Sequence, residues 1–173
     1  LHLGTALLTY CYVFWQYLNL KQQYLVNSTY TEGGNPGISI FILLFIQIIL
    51  GSMLSGLNGG LASHTYPLMN GEIFPSNATN SLRDPFFLHF LHRWFPILVS
   101  LFIVFIYRRK KETLSLYQVS HFRLLFYAIC FQIAIGISTV VLNVPIGLAL
   151  LHQLGAVLVI TISTALLFSF NNK

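Results

Sequence analysis

The stretch Asp84-Pro85-Phe86-Phe87-Leu88-His89-Phe90-Leu91-His92-Arg93-Trp94-Phe95-Pro96-Ile97-Leu98-Val99-Ser100-Leu101-Phe102-Ile103-Val104-Phe105-Ile106-Tyr107-Arg108-Arg109-Lys110-Lys111 decides the fold. It opens on a carboxylate that can cap a helix and a proline suited to the first helical position. A run of aromatic and aliphatic side chains follows, interrupted by few polar ones, and four consecutive cations close it. At about 1.5 Å of rise per residue, such a run crosses a hydrocarbon core of about 30 Å. The apolar residues do not alternate every second position, so the span reads as a helix and not as a barrel strand.

The same reading applied outward gives five spans: Leu1–Leu20, Ile38–Leu57, Pro85–Tyr107, His121–Leu142 and Pro145–Phe170. Asn143-Val144-Pro145 reads as a very short turn with a cap and a proline for the last helix, and Gly33-Gly34-Asn35-Pro36-Gly37 punctuates the first loop. Composition agrees. The 173 residues are 55% hydrophobic and only 8% charged, with mean hydropathy +0.72. Soluble domains carry about 25% charged residues, and disorder needs the opposite balance. The expected class is therefore an all-α membrane protein. Cys11 and Cys130 both sit in apolar runs, and no CxxC or CxxCH occurs. Neither a disulfide, a zinc site nor covalent heme attachment is supported. The chain opens on Leu1 and enters an apolar run at once, without a charged leader, and reads as a fragment that lacks upstream sequence.

Charge fixes an expected orientation. Nine basic residues against four acidic ones give a formal net charge of +5, and most of the excess is the Arg108–Lys111 cluster with Arg123 beyond it. The positive-inside rule puts that loop, with Lys21 and Lys173, in the cytoplasm or mitochondrial matrix. The long loop Asn58–Asp84 then lies outside. Local cations of this kind are a topology signal, so nucleic acid is excluded as a partner and membrane lipid is expected. The sequons at Asn27 and Asn77 are discounted. Leu1-His2-Leu3-Gly4 is echoed by Leu151-His152-Gln153-Leu154-Gly155, a weak internal repeat of the kind duplicated membrane proteins show. The expected division is residues 1–20 as the last helix of a truncated bundle, 21–37 as a cytoplasmic or matrix linker, and 38–173 as a complete four-helix bundle.

Six histidines in so apolar a chain need a reason, because ionisable groups at membrane depth are costly. His92 and His152 each lie seven residues past the outer end of their helices, roughly 10 Å in from the same face. Two imidazoles at matched depth on different helices are suitable axial ligands for one iron porphyrin. Phe86, Phe87, Phe90, Trp94, Phe95 and Leu151 are apolar surroundings suited to a macrocycle. The plain alternative for each histidine is a structural hydrogen bond. His89 shares a face with His92 and is either a rival ligand or a neighbour of the site. Pro96 removes the N–H that would bond the His92 carbonyl and kinks the helix there. Arg93 is read equally as a partner for a heme propionate or as a cation snorkelling to the interface. His64 lies in the outer loop and His121 opens a helix on the basic side, as an interfacial residue. Glu72 reads as solvated. Gly51, Ser55, Gly56, Gly59 and Gly60 favour close helix packing, with room for a flat cofactor as the alternative. No nucleotide-binding glycine motif, Ser-His-Asp set or carboxylate pair is visible.

These residues together resemble the C-terminal half of heme A synthase, of the type without outer-loop cysteine pairs. The likeness rests on Gly56-Leu57-Asn58-Gly59-Gly60-Leu61-Ala62-Ser63 followed by Tyr66-Pro67-Leu68-Met69-Asn70-Gly71. It also rests on Phe90-Leu91-His92-Arg93, on Gly136-Ile137-Ser138-Thr139 with Val144-Pro145-Ile146, and on Ala149-Leu150-Leu151-His152-Gln153. It covers nearly the whole chain. His64 and His89 depart from the family pattern.

The resemblance implies an eight-helix protein of two pseudo-symmetric bundles that oxidises the C8 methyl of heme O to a formyl, giving heme A for cytochrome oxidase. It implies that His92 and His152 ligate heme b in the C-terminal bundle, and that His2 is a ligand in the N-terminal one. Arg93 and His89 are then propionate or neighbouring groups. The catalytic residues are expected upstream of Leu1, so the fragment alone is expected to be inactive. Heme O, delivered by heme O synthase, and an electron donor are the implied partners, and a homo-oligomer stays open. The implied location is the bacterial or mitochondrial inner membrane, with the C-terminus on the cytoplasmic or matrix side. The alternative is a bis-histidine membrane cytochrome b that only carries electrons. A transporter or assembly protein using its histidines for protons or copper is the third reading.

Overall fold

The computed structural model describes residues 2–23 and 35–171. The linker sequon at Asn27, most of the expected 21–37 linker and Lys173 lie outside them. The described chain is helical: α1 (His2–Gln23), α2 (Pro36–Gly56), a short 3-10 turn (Gly59–Leu61), α3 (Pro85–Lys110), α4 (Leu116–Val141) and α5 (Ile146–Asn171). All five expected helices are present. α2 to α5 are long and apolar enough to cross a membrane. α1 has the length, at 22 residues, but Thr5, Thr9, Gln16 and Asn19 dilute its apolar character. The chain is a multi-pass helical membrane protein.

Local chemistry sets the helix ends. The Asp84 carboxylate accepts from the Phe86 and Phe87 amides, at 2.8 and 3.4 Å, and Pro85 follows it. Asn35 and Pro36 repeat the device at α2, with Asn35 accepting from the Gly37 amide at 2.9 Å. α3 runs on to Lys110, so Arg108, Arg109 and Lys110 form its last turn, where cations offset the helix dipole.

Three helix starts differ from expectation. α2 begins at Pro36, not at Ile38, because Asn35 caps it. α4 begins at Leu116, not at His121, because Ser115 and Gln118 form a reciprocal capping box. His121 therefore lies in the second turn, with its ring stacked on Tyr117 at 3.8 Å. Asn143 does not cap α5. It takes a left-handed conformation (φ 62°) after the end of α4, and so does Val144 (φ 57°), whose amide donates to the Thr139 carbonyl at 2.7 Å. Asn tolerates that region and a β-branched residue does not, so strain sits at Val144.

α2, α3, α4 and α5 pack in a ring in that order, and α1 lies outside it against α5 and α2. Ile40, Leu44, Ile103, Leu125, Ile160 and Leu166 fill the half of the bundle nearer the 111–115 turn. Large apolar side chains such as Leu101, Phe105, Phe131 and Leu154 point outward, as lipid-facing residues do.

Candidate functional site

The other half of the bundle carries His89, His92 and His152. His92 on α3 and His152 on α5 face each other, with ring centroids 6.2 Å apart and ring planes at 83°. A helix beside each one supports it. From α2, the Gln47 Nε2 donates to the His92 carbonyl at 3.0 Å and lies 2.9 Å from the His92 Nδ1. From α4, the Gln132 Nε2 donates to the His152 carbonyl. One turn beyond each glutamine is a glycine under the ring. A Cβ on Gly51 would meet the His92 Cε1 at 2.7 Å, and one on Gly136 would meet the His152 Cε1 at 2.9 Å. The α2–α3 and α4–α5 hairpins thus present the same set, Gln-x-x-x-Gly against a histidine. Sequence reading missed both glutamines. The signal was there, in Gln47 with Gly51 and Gln132 with Gly136, inside otherwise apolar runs.

Two of the small residues noted in α2 and its exit take distinct roles. Gly51 makes room for an imidazole. Gly60 makes room for Val144, whose methyl would lie 3.2 Å from an added Cβ.

The loop between α2 and α3 covers this end. Met69 and Glu72 exchange backbone hydrogen bonds of 2.7 and 3.1 Å across a two-residue turn. Asn70 and Gly71 both have positive φ, at 54° and 93°. Asn-Gly is the pair that such a turn requires, and it drives Met69 to 2% exposure. Arg93 ties the loop down: its Nη1 donates to the carbonyls of Thr65, Pro67 and Leu68 at 2.8, 3.1 and 3.1 Å. Its Nη2 lies 3.2 Å from the His89 Nε2. Phe74 of the loop packs edge-on against Phe90, with centroids 5.0 Å apart.

Each expected residue has a place. His92 and His152 are together. His89 is buried and engaged with Arg93, not turned to the pair. Arg93 serves the loop. His2 is exposed in the first turn of α1. The Nδ1 atoms of His64, His89 and His152 are buried without a hydrogen-bond partner. No cluster of three or more metal-ligating side chains occurs among the described residues; two imidazoles are a donor set that a heme iron takes.

The fit can be tested on distance. A metal–imidazole bond of about 2 Å on each side, with each ring centre about 1 Å further, separates two ring centres by about 6 Å. The observed 6.2 Å is close to that separation. The glycines beneath the rings leave room for both imidazoles.

Fold and site define a multi-pass helical membrane protein that brings two histidines together near one end of a four-helix ring. The family model described as cytochrome oxidase assembly protein matches residues 1–164, and the chain belongs to that family. It is 34% identical to the heme A synthase of Pelagibacter ubique, over 99% of this chain and 52% of that protein. It is 33% identical to the heme A synthase of Neorickettsia sennetsu, over 96% and 52%. It is 34% identical to that of Erythrobacter litoralis, over 95% and 50%. The chain spans about half the length of these relatives. No solved structure matches it.

Proposed function

We propose that this chain is the heme b-binding portion of a heme A synthase, with His92 and His152 as the axial ligands. One observation carries the reading: the two rings face each other at the separation that a shared iron requires. The relatives' name supports the reaction, which turns the C8 methyl of heme O into the formyl of heme A for cytochrome oxidase. Bound heme supplies electron-transfer chemistry.

The chain's own residues do the rest. His92 and His152 offer neutral imidazole nitrogens from opposite sides. Gly51 and Gly136 leave room for the rings. The Arg93-tied loop, with Met69 buried beneath it, limits water at that end of the bundle. A low dielectric around the iron is one of the levers that set its potential. Residues 38–173 form the heme unit in this reading. α1 and its exposed His2 belong to the other bundle, where heme O is the substrate. The membrane is the bacterial or mitochondrial inner membrane, with Arg108–Lys111 on the cytoplasmic or matrix side.

The test is heme extraction after co-expression of the full-length protein with a heme O source. Heme A in the extract is the expected result. Heme b and heme O alone would identify a cytochrome b that only passes electrons.

A further inference from the structure

Among the site's polar groups, the Gln47 amide makes two contacts that its counterpart does not combine. Its Nε2 reaches both the His92 carbonyl and the His92 ring, at 3.0 and 2.9 Å. The carbonyl contact has a cause in the sequence. Pro96, four residues on, has no N–H to donate, so the His92 carbonyl lacks its helical partner. Gln47 supplies it. Gln132 reaches the His152 carbonyl in the same manner, but no ring contact accompanies it, and the His152 Nδ1 is unpartnered. The Gln132 Oε1 lies instead where a Cβ on Gly155 would fall.

The Gln47 Oε1 is buried and accepts no hydrogen bond. An unpaired buried acceptor is costly. The matching donor is close at hand. When a histidine binds iron through Nε2, its Nδ1 carries the ring proton. In the structure it is Nε2 that faces the ring nitrogen; the acceptor role requires a turn of the Gln47 amide that brings Oε1 to that proton while Nε2 keeps the carbonyl.

We propose that Gln47 is a positioning residue for His92: it holds the backbone carbonyl that Pro96 frees and accepts the ring's Nδ1–H, so fixing tautomer, ring plane and donor strength. This rests on His92 being a heme ligand. Accepting that proton makes the imidazole more basic, which favours ferric iron and lowers the potential. The Gln132 Oε1 is buried without a donor as well, but its amide makes no contact with the His152 ring, and in this the two histidines differ.

The experiment is a redox titration of the heme in the full-length protein, followed by its absorbance. Gln47→Leu is expected to raise the midpoint potential. Gln47→Glu, a stronger acceptor, is expected to lower it. The same pair of changes at Gln132 is expected not to split in sign. A purely structural role for Gln47 does not predict opposite shifts. Shifts of the same sign at Gln47, or none with heme bound, would overturn the proposal. If the Leu variant fails to fold, the Glu variant decides alone, and a potential at or above the wild type overturns it. A wild-type protein without heme overturns the ligand reading itself, and this proposal with it.

A second measurement tests the carbonyl contact without any heme readout. Pro96→Ala restores the missing N–H. Gln47→Leu is expected to lower thermal stability less in that background than in the wild type. An equal loss in both backgrounds would contradict the carbonyl role.

Discussion

Arg93 shows how a cation is kept inside an apolar helix without an acid beside it. Its Nη1 meets three loop carbonyls while its Nη2 stays beside the His89 ring, and the planar guanidinium holds both ends at once, which a single ammonium nitrogen cannot do. Arg93→Lys is expected to loosen the loop, read as faster amide exchange across residues 65–72 with α3 unchanged. The sequence singled out Arg93 but offered only a propionate or the membrane surface as its partner. Backbone carbonyls more than twenty residues away leave no mark in a sequence. Asp84 was legible, because Asp-Pro before an apolar run has one common use. The Thr79 amide and hydroxyl, with the Phe86 and Phe87 amides, hold its carboxyl below the usual carboxylate range. Its stabilising effect is therefore fully present above the ordinary value of about 3.9 and is lost as pH falls through the depressed one. Asp84→Asn is expected to flatten the acid limb of a stability–pH curve. An unchanged acid limb would exclude the cap as its source.

Helix ends and helix contacts were legible to different degrees. The start of α3 follows from Asp-Pro; α2 starts at Pro36, two residues before the expected Ile38, because Asn35 caps it. The start of α4 was set five residues late, because the apolar run was weighed above Ser115-x-x-Gln118. That box also reaches across the bundle, since the Gln118 Nε2 donates to the Ser169 carbonyl at 3.2 Å. Ser115→Ala is expected to cost about 1 kcal/mol, as loss of such a cap does, with faster amide exchange confined to the first turn of α4. Close approach between distant helices was not legible. Gly37 lies against the backbone of α5, where an added Cβ would meet the Leu167 Cα at 2.7 Å. Backbone cannot swing aside as a side chain can. Gly37→Ala is expected to destabilise the bundle by about 1–3 kcal/mol, measured by thermal unfolding in detergent.

On the scale of the whole molecule, the bundle is divided along its length. One half is a dry aliphatic core. The other holds the paired histidines beneath a tied-down loop. The class of fold was legible because a hydrocarbon solvent forces long apolar helices, and composition alone reports that. The pairing of His92 with His152 was legible as matched depth, since both helices start at similar membrane levels. The two-hairpin symmetry of the glutamines and glycines was not, because side-chain support depends on which helices become neighbours. The central claim is that these two histidines, and not His89, hold one iron. The most direct measurement is the absorbance and paramagnetic resonance spectrum of the purified full-length protein. Changes in the N-terminal heme site would keep its signal apart. His92→Ala and His152→Ala are each expected to abolish the low-spin bis-histidine signal of the C-terminal site, and His89→Ala to retain it. Retention of that signal in either of the first two variants, or its loss in the third, would contradict the account.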